Sequence, residues 1–63
     1  NEALGRKEGM AIQYGNMGSI FKTQGDLDQA RDVWTMALVL FTELGSPHAK
    51  TVQLWLYSLK NSK

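Results

Sequence analysis

The 63-residue chain contains no cysteine, one histidine and one proline, and its seven basic and six acidic side chains nearly balance. Without cysteine there is no disulfide framework, thiolate metal ligand or thiol nucleophile, and one histidine cannot build a His-rich metal site. A net charge of +1 gives no electrostatic footprint for a nucleic-acid duplex or an anionic membrane. We therefore expect no metal, no cofactor, no nucleic-acid partner and no membrane partner.

The length of the chain and its apolar segments set further bounds. A chain of about 60 residues forms one small domain at most and buries only about 60% of its unfolded surface. Its longest apolar stretch, Val33 to Phe41, is interrupted by Thr35 and falls short of the roughly 20 residues of a membrane helix. The N-terminus has neither a signal-peptide core nor an initiator Met. We expect a fragment of a longer protein, cytoplasmic by default.

Glycine and proline divide the chain into three segments, none of which alternates with period two, so the sequence predicts an all-α fold. Gly25 and Gly45 are suited to the left-handed position after a helix end. Asp26 and Gln29 form a capping-box pattern, and Pro47 suits a first helical position. We predict helices over about 8–23, 27–44 and 47–60, in a single unit spanning residues 1–63.

The third helix echoes the first at an offset of forty residues. Leu4-Gly5 aligns with Leu44-Gly45, and Ile12 aligns with Val52. This spacing indicates an internal repeat in which both helices follow a Leu-Gly loop.

Seven residues of the first two helices stand at the spacing of a known repeat signature: Tyr14, Met17, Gly18, Phe21, Ala30, Trp34 and Ala37. The sequence thereby resembles the tetratricopeptide repeat (TPR) family, in a longer-helix variant of about 40 residues. Thr42 replaces the usual proline, and Asn61 stands where a second repeat would need an aromatic residue. The resemblance implies an antiparallel helix pair with a third, capping helix, as a fragment of an α-solenoid. The signature residues would pack the helices. Independently of the resemblance, we expect Met10, Met17 and Met36 to fill the core rather than form an adaptable binding surface.

The resemblance also implies a function, that of a non-catalytic protein–protein interaction module. No Ser, His and acid stand in nucleophilic register, which agrees with a protein that is not an enzyme. By resemblance, a partner peptide or helix would bind a groove along the first helix, lined by Ile12, Gly15, Asn16, Ser19, Lys22 and Thr23.

The second and third helices carry more apolar residues than three short helices can cover. We therefore expect the fragment to form a homo-oligomer, with a contact set of Val33, Met36, Val39, Leu40, Trp55 and Leu56. An alternative function is a purely structural oligomerisation unit without another ligand. A remote alternative is a helix-turn-helix DNA binder, which the acidic start of the second helix disfavours.

Overall fold

The structure, a computed structural model, describes the backbone of residues 2–61 and the side chains of residues 5–60. Three helices follow one another: α1 (Glu2–Thr23), α2 (Leu27–Leu44) and α3 (His48–Asn61). Within residues 2–61 there is no strand, so the predicted all-α fold is confirmed. α1 packs against α2, and α2 packs against α3. The bounds of α2 agree with the prediction, and those of α3 differ from it by one residue at each end.

α1 begins at Glu2, about two turns before the predicted start near residue 8. Its first half runs beside the last half of α2, where Lys7 Nζ lies 3.5 Å from Glu43 Oε1 and Ala11 is fully buried. The helix continues through Gly5 and Gly9, although each glycine lowers helix stability by about 0.5–1 kcal/mol relative to alanine. The expectation that Leu4-Gly5 forms a loop before the helix was wrong.

Gly25 ends α1 in the left-handed conformation, with φ of 84°. Its N–H donates to the Lys22 carbonyl over 3.0 Å, and the Asp26 N–H donates to the Phe21 carbonyl over 2.8 Å. This pair of bonds is a Schellman motif. Asp26 then caps α2 by accepting a 3.4 Å hydrogen bond from the Gln29 N–H, so the predicted cap forms.

Gly45 ends α2 in the same way, with φ of 66°. Its N–H donates to the Thr42 carbonyl over 3.1 Å, and the Ser46 N–H donates to the Phe41 carbonyl over 2.9 Å. Two copies of one short turn therefore fold α1, α2 and α3 back on each other.

The buried core lies along one stripe of α2, formed by Ala30, Trp34, Ala37 and Phe41. Ala11 from α1, and Val52 and Leu59 from α3, complete it, and Val52 is the largest side chain that is fully buried. The Cα atoms occupy 41 × 18 × 12 Å. In so thin a layer of helices, most large apolar side chains reach the surface.

The methionines lie outside this core. Met10, Met17 and Met36 are 46%, 41% and 50% exposed. The expectation that they fill the core was wrong, and Met17 differs in this from the other signature residues. Gly18, Ala30, Trp34 and Ala37 are buried, and Tyr14 and Phe21 pack partly buried against the core.

Of the glycines in the described residues, Gly18 has the least space around it, because Trp34 of α2 packs directly against it. A Cβ added there would lie 2.6 Å from Cε2 of Trp34 and closer still to its Nε1 and Cδ1. Trp34 is only 3% exposed and its Nε1 is hydrogen-bonded to the Gly15 carbonyl, so a shift of its ring would disturb the packed core and this bond. The indole of Trp34 therefore requires a residue without a side chain at position 18.

We expect Gly18→Ala to lower the free energy of unfolding by up to about 2 kcal/mol, because overpacking costs about 1–3 kcal/mol and the helix-propensity gain offsets about 1 kcal/mol of it. Gly9→Ala is the matched control, since a Cβ there meets nothing within 4 Å. We expect that change to stabilise the protein by about 0.5–1 kcal/mol. Urea unfolding followed by circular dichroism measures both. Equal stabilisation by the two changes would contradict the close approach.

A candidate binding groove between α1 and α3

A groove opens where α1 and α3 lie side by side above α2. One part is a depression of about 140 Å³ with Phe41 and Val52 at its base. The adjoining part is formed by the last turns of α1 together with both tryptophans. We define the α1/α3 groove by its exposed wall residues: Ile12, Asn16, Ser19, Lys22 and Thr23 from α1, and Thr51 and Trp55 from α3.

Trp55 belongs to both parts of the groove. Its ring centroid lies 5.3 Å from that of Trp34, with the two planes tilted by 37°. A Cβ added at Gly15 would lie 3.6 Å from Cζ3 of Trp55, an ordinary contact distance. Trp55 stays 37% exposed. It therefore presents part of an indole to solvent from a fixed position.

Trp34 holds the floor of the groove in place. Its Nε1 donates a 2.9 Å hydrogen bond to the carbonyl oxygen of Gly15, one turn before the close approach at Gly18. Among the described residues, no buried side-chain nitrogen or oxygen lacks a partner. A buried indole N–H without a partner would cost about 1–3 kcal/mol. This bond fixes which face of α1 meets α2 and thereby which residues line the groove.

The α1 wall is polar towards its C-terminal end. The Ser19 hydroxyl donates to the Gly15 carbonyl over 3.3 Å, and the Thr23 hydroxyl donates to the Ser19 carbonyl over 3.0 Å. Both hydroxyl oxygens remain able to accept a hydrogen bond from a ligand. Lys22 adds a positive charge at this end. The opposite end is closed by His48, whose ring centroid lies 5.3 Å from that of Phe41.

The six residues that the resemblance assigns to a groove occupy this face of α1. Ile12, Gly15 and Asn16 border the first depression, and Ser19, Lys22 and Thr23 border the second. Ile12 is 49% exposed, so an apolar contact is available beside the amide of Asn16. The groove combines apolar and hydrogen-bonding groups.

The six expected self-association residues occupy different places. Val33, Met36, Val39 and Leu40 lie on α2, whereas Trp55 lines the groove. Leu56 packs partly buried against the core. The structure does not gather the set into one surface, because consecutive residues of a helix point about 100° apart.

The sequence interpretation left Trp55 out of the groove. The forty-residue offset contains the signal for it, since Trp55 follows the groove residue Gly15 by forty positions. Burial does not follow the same offset. Ile12 is half exposed while its counterpart Val52 is 1% exposed. The face of α3 that contains Val52 is therefore buried, whereas the equivalent face of α1, which contains Ile12, is exposed.

The chain matches no protein-family model, no curated protein and no solved structure. Within the described residues, there is no group of three or more His, Cys, Asp or Glu that could hold a metal ion. No helix in the described part of the chain is long and apolar enough to cross a membrane.

The two tryptophans should differ in their access to solvent. In Trp55→Phe, the remaining Trp34 is 3% exposed, so we expect blue-shifted emission that iodide quenches weakly. In Trp34→Phe, the remaining Trp55 should emit further to the red and be quenched strongly. Circular dichroism controls for folding of both variants. Equal quenching of the two would contradict this geometry.

Proposed function

We propose that this chain is a non-catalytic protein-interaction module of the tetratricopeptide type, which binds a partner peptide or helix in the α1/α3 groove. The observation that carries the proposal is the 37% exposed Trp55 facing the exposed Ile12, between two helices that both pack on α2. Exposed aromatic side chains in preformed depressions are typical anchors of protein interfaces. The signature at Gly18 and Trp34 supports the repeat type.

Binding would proceed by burial of an apolar side chain of the partner against Trp55 and Ile12. Asn16 can donate and accept hydrogen bonds, and Lys22 can donate to a carbonyl or carboxylate oxygen, so these residues would orient the partner. Since Trp34 holds the groove floor before binding, little ordering entropy would be lost there.

The length of the groove limits the size of the partner segment. The α1 wall from Ile12 to Thr23 is about 17 Å long along the helix axis, at about 1.5 Å per residue. That distance fits about five residues of an extended peptide or about three turns of a helix. So small a contact predicts weak binding by a single module, with a Kd in the micromolar range or above.

The proposal can be tested with a random peptide library displayed on phage and selected against the wild-type chain. Titration of a selected peptide should change the Trp55 emission and give the Kd. We expect Ile12→Glu to raise that Kd at least tenfold, because a carboxylate replaces the apolar wall, which costs more than about 1.4 kcal/mol.

Leu54→Glu is the matched control for this test. Leu54 is 68% exposed, and the residues around it, Lys50, Gln53 and Tyr57, are not part of the groove, so the same kind of substitution there should leave the Kd unchanged. Peptides that bind both variants alike, or a library that yields no groove-dependent peptide, would refute the proposal.

A further inference from the structure

A second apolar surface lies on the opposite side of the molecule from the groove. We call it the methionine face and define it by Met10, Tyr14, Met17 and Phe21 of α1 together with Val33, Met36 and Leu40 of α2. The three methionines are 41–50% exposed, and the other four residues are partly buried.

Helical phase places this face away from α3. On α2, Arg31 lines a depression shared with Leu59 of α3, and Leu40 follows Arg31 by nine residues, which is about 180° around the helix. On α1, Met10 precedes the groove residue Ser19 by the same nine residues. Both helices therefore turn these apolar residues away from the side that α3 covers.

The contacts between α1 and α2 bring the three methionines to one area. Lys7 pairs with Glu43, and Gly18 lies against Trp34, so the two helices run antiparallel. In that register Met36 lies level with Tyr14, between Met10 and Met17. Methionine side chains adapt well to apolar partners and are frequent at such binding surfaces.

Charge distinguishes the methionine face from the other exposed apolar surfaces. None of its seven residues is charged. Four charged residues border it: Arg6, one turn before Met10, Asp32, one turn before Met36, and the Lys7–Glu43 pair. Two are basic and two are acidic, so the border is neutral in sum. The groove contains Lys22, and the outer side of α3 places Lys50 beside Leu54 and Tyr57. In a two-fold contact each surface meets its own copy. A dimer through the groove would therefore place Lys22 near Lys22 of the other copy, and a dimer through the outer side of α3 would do the same with Lys50.

We propose that the methionine face binds a second copy of this chain, forming an isologous dimer through α1 and α2 of both protomers. The α1/α3 groove then remains open on each protomer. The face extends about 17 Å along α1 and about 20 Å across two helices, less than the roughly 800 Å² per partner of a standard interface. The dimer is accordingly weak, with a Kd in the micromolar range or above.

Analytical ultracentrifugation can measure this association. The protein concentration should run from about 1 µM to about 1 mM, because the small contact area predicts a dimer Kd in that range. The wild type should pass from monomer to dimer. Met36→Glu should raise the dimer Kd about a hundredfold, because each two-fold contact contains the new carboxylate twice. Met17→Glu should act in the same direction, and circular dichroism verifies that both variants fold.

Leu54→Glu is the matched control, since Leu54 is 68% exposed but lies on α3. It should leave the dimer Kd unchanged. A wild type that stays monomeric throughout, or a Leu54→Glu change that weakens the dimer as much as Met36→Glu, would overturn the proposal. Peptide binding in the groove is measured separately, so the two proposals can fail independently.

Discussion

The contact of Trp34 with α1 determines the rest of this structure. The indole fits only because Gly18 has no side chain, and its N–H is satisfied only because the Gly15 carbonyl lies within 2.9 Å. Together these two conditions fix the rotation of α1 about its own axis. That rotation places Ile12 and Asn16 in the groove and turns Met10 to the opposite side.

Local signals in the sequence predicted those parts of the fold that depend on neighbouring residues. Gly25 and Gly45 mark both turns because a left-handed backbone is needed there, and Asp26 marks a helix start because its carboxylate accepts from the backbone. The early start of α1 could not be predicted in this way. Gly5 and Gly9 argue locally against a helix, whereas in the structure this part of α1 runs beside the distant end of α2, which no local signal indicates.

The exposure of the methionines and of Trp55 shows a second limit. A periodic stripe identifies which side of a helix is apolar, but it does not say which neighbour covers that side. Met10 and Met17 share the α1 stripe with Tyr14 and Phe21, yet α2 covers only the edge of that stripe. Trp55 was assigned to self-association because its neighbours are apolar, whereas its contact with Trp34 places it in the groove.

A core this thin links stability and binding through α2. α2 packs on α1 along one flank and on α3 along the other, so its central stripe is buried while its remaining side, with Met36, is uncovered. The groove depends on α3 remaining docked beside α1, whereas the methionine face depends only on α1 and α2. A partner on the methionine face would therefore stabilise the α1–α2 pair, and through Trp34 the floor of the groove, without occupying the groove itself. The physical basis of this link is mass action, because any species that binds only the folded helix pair adds to its stability.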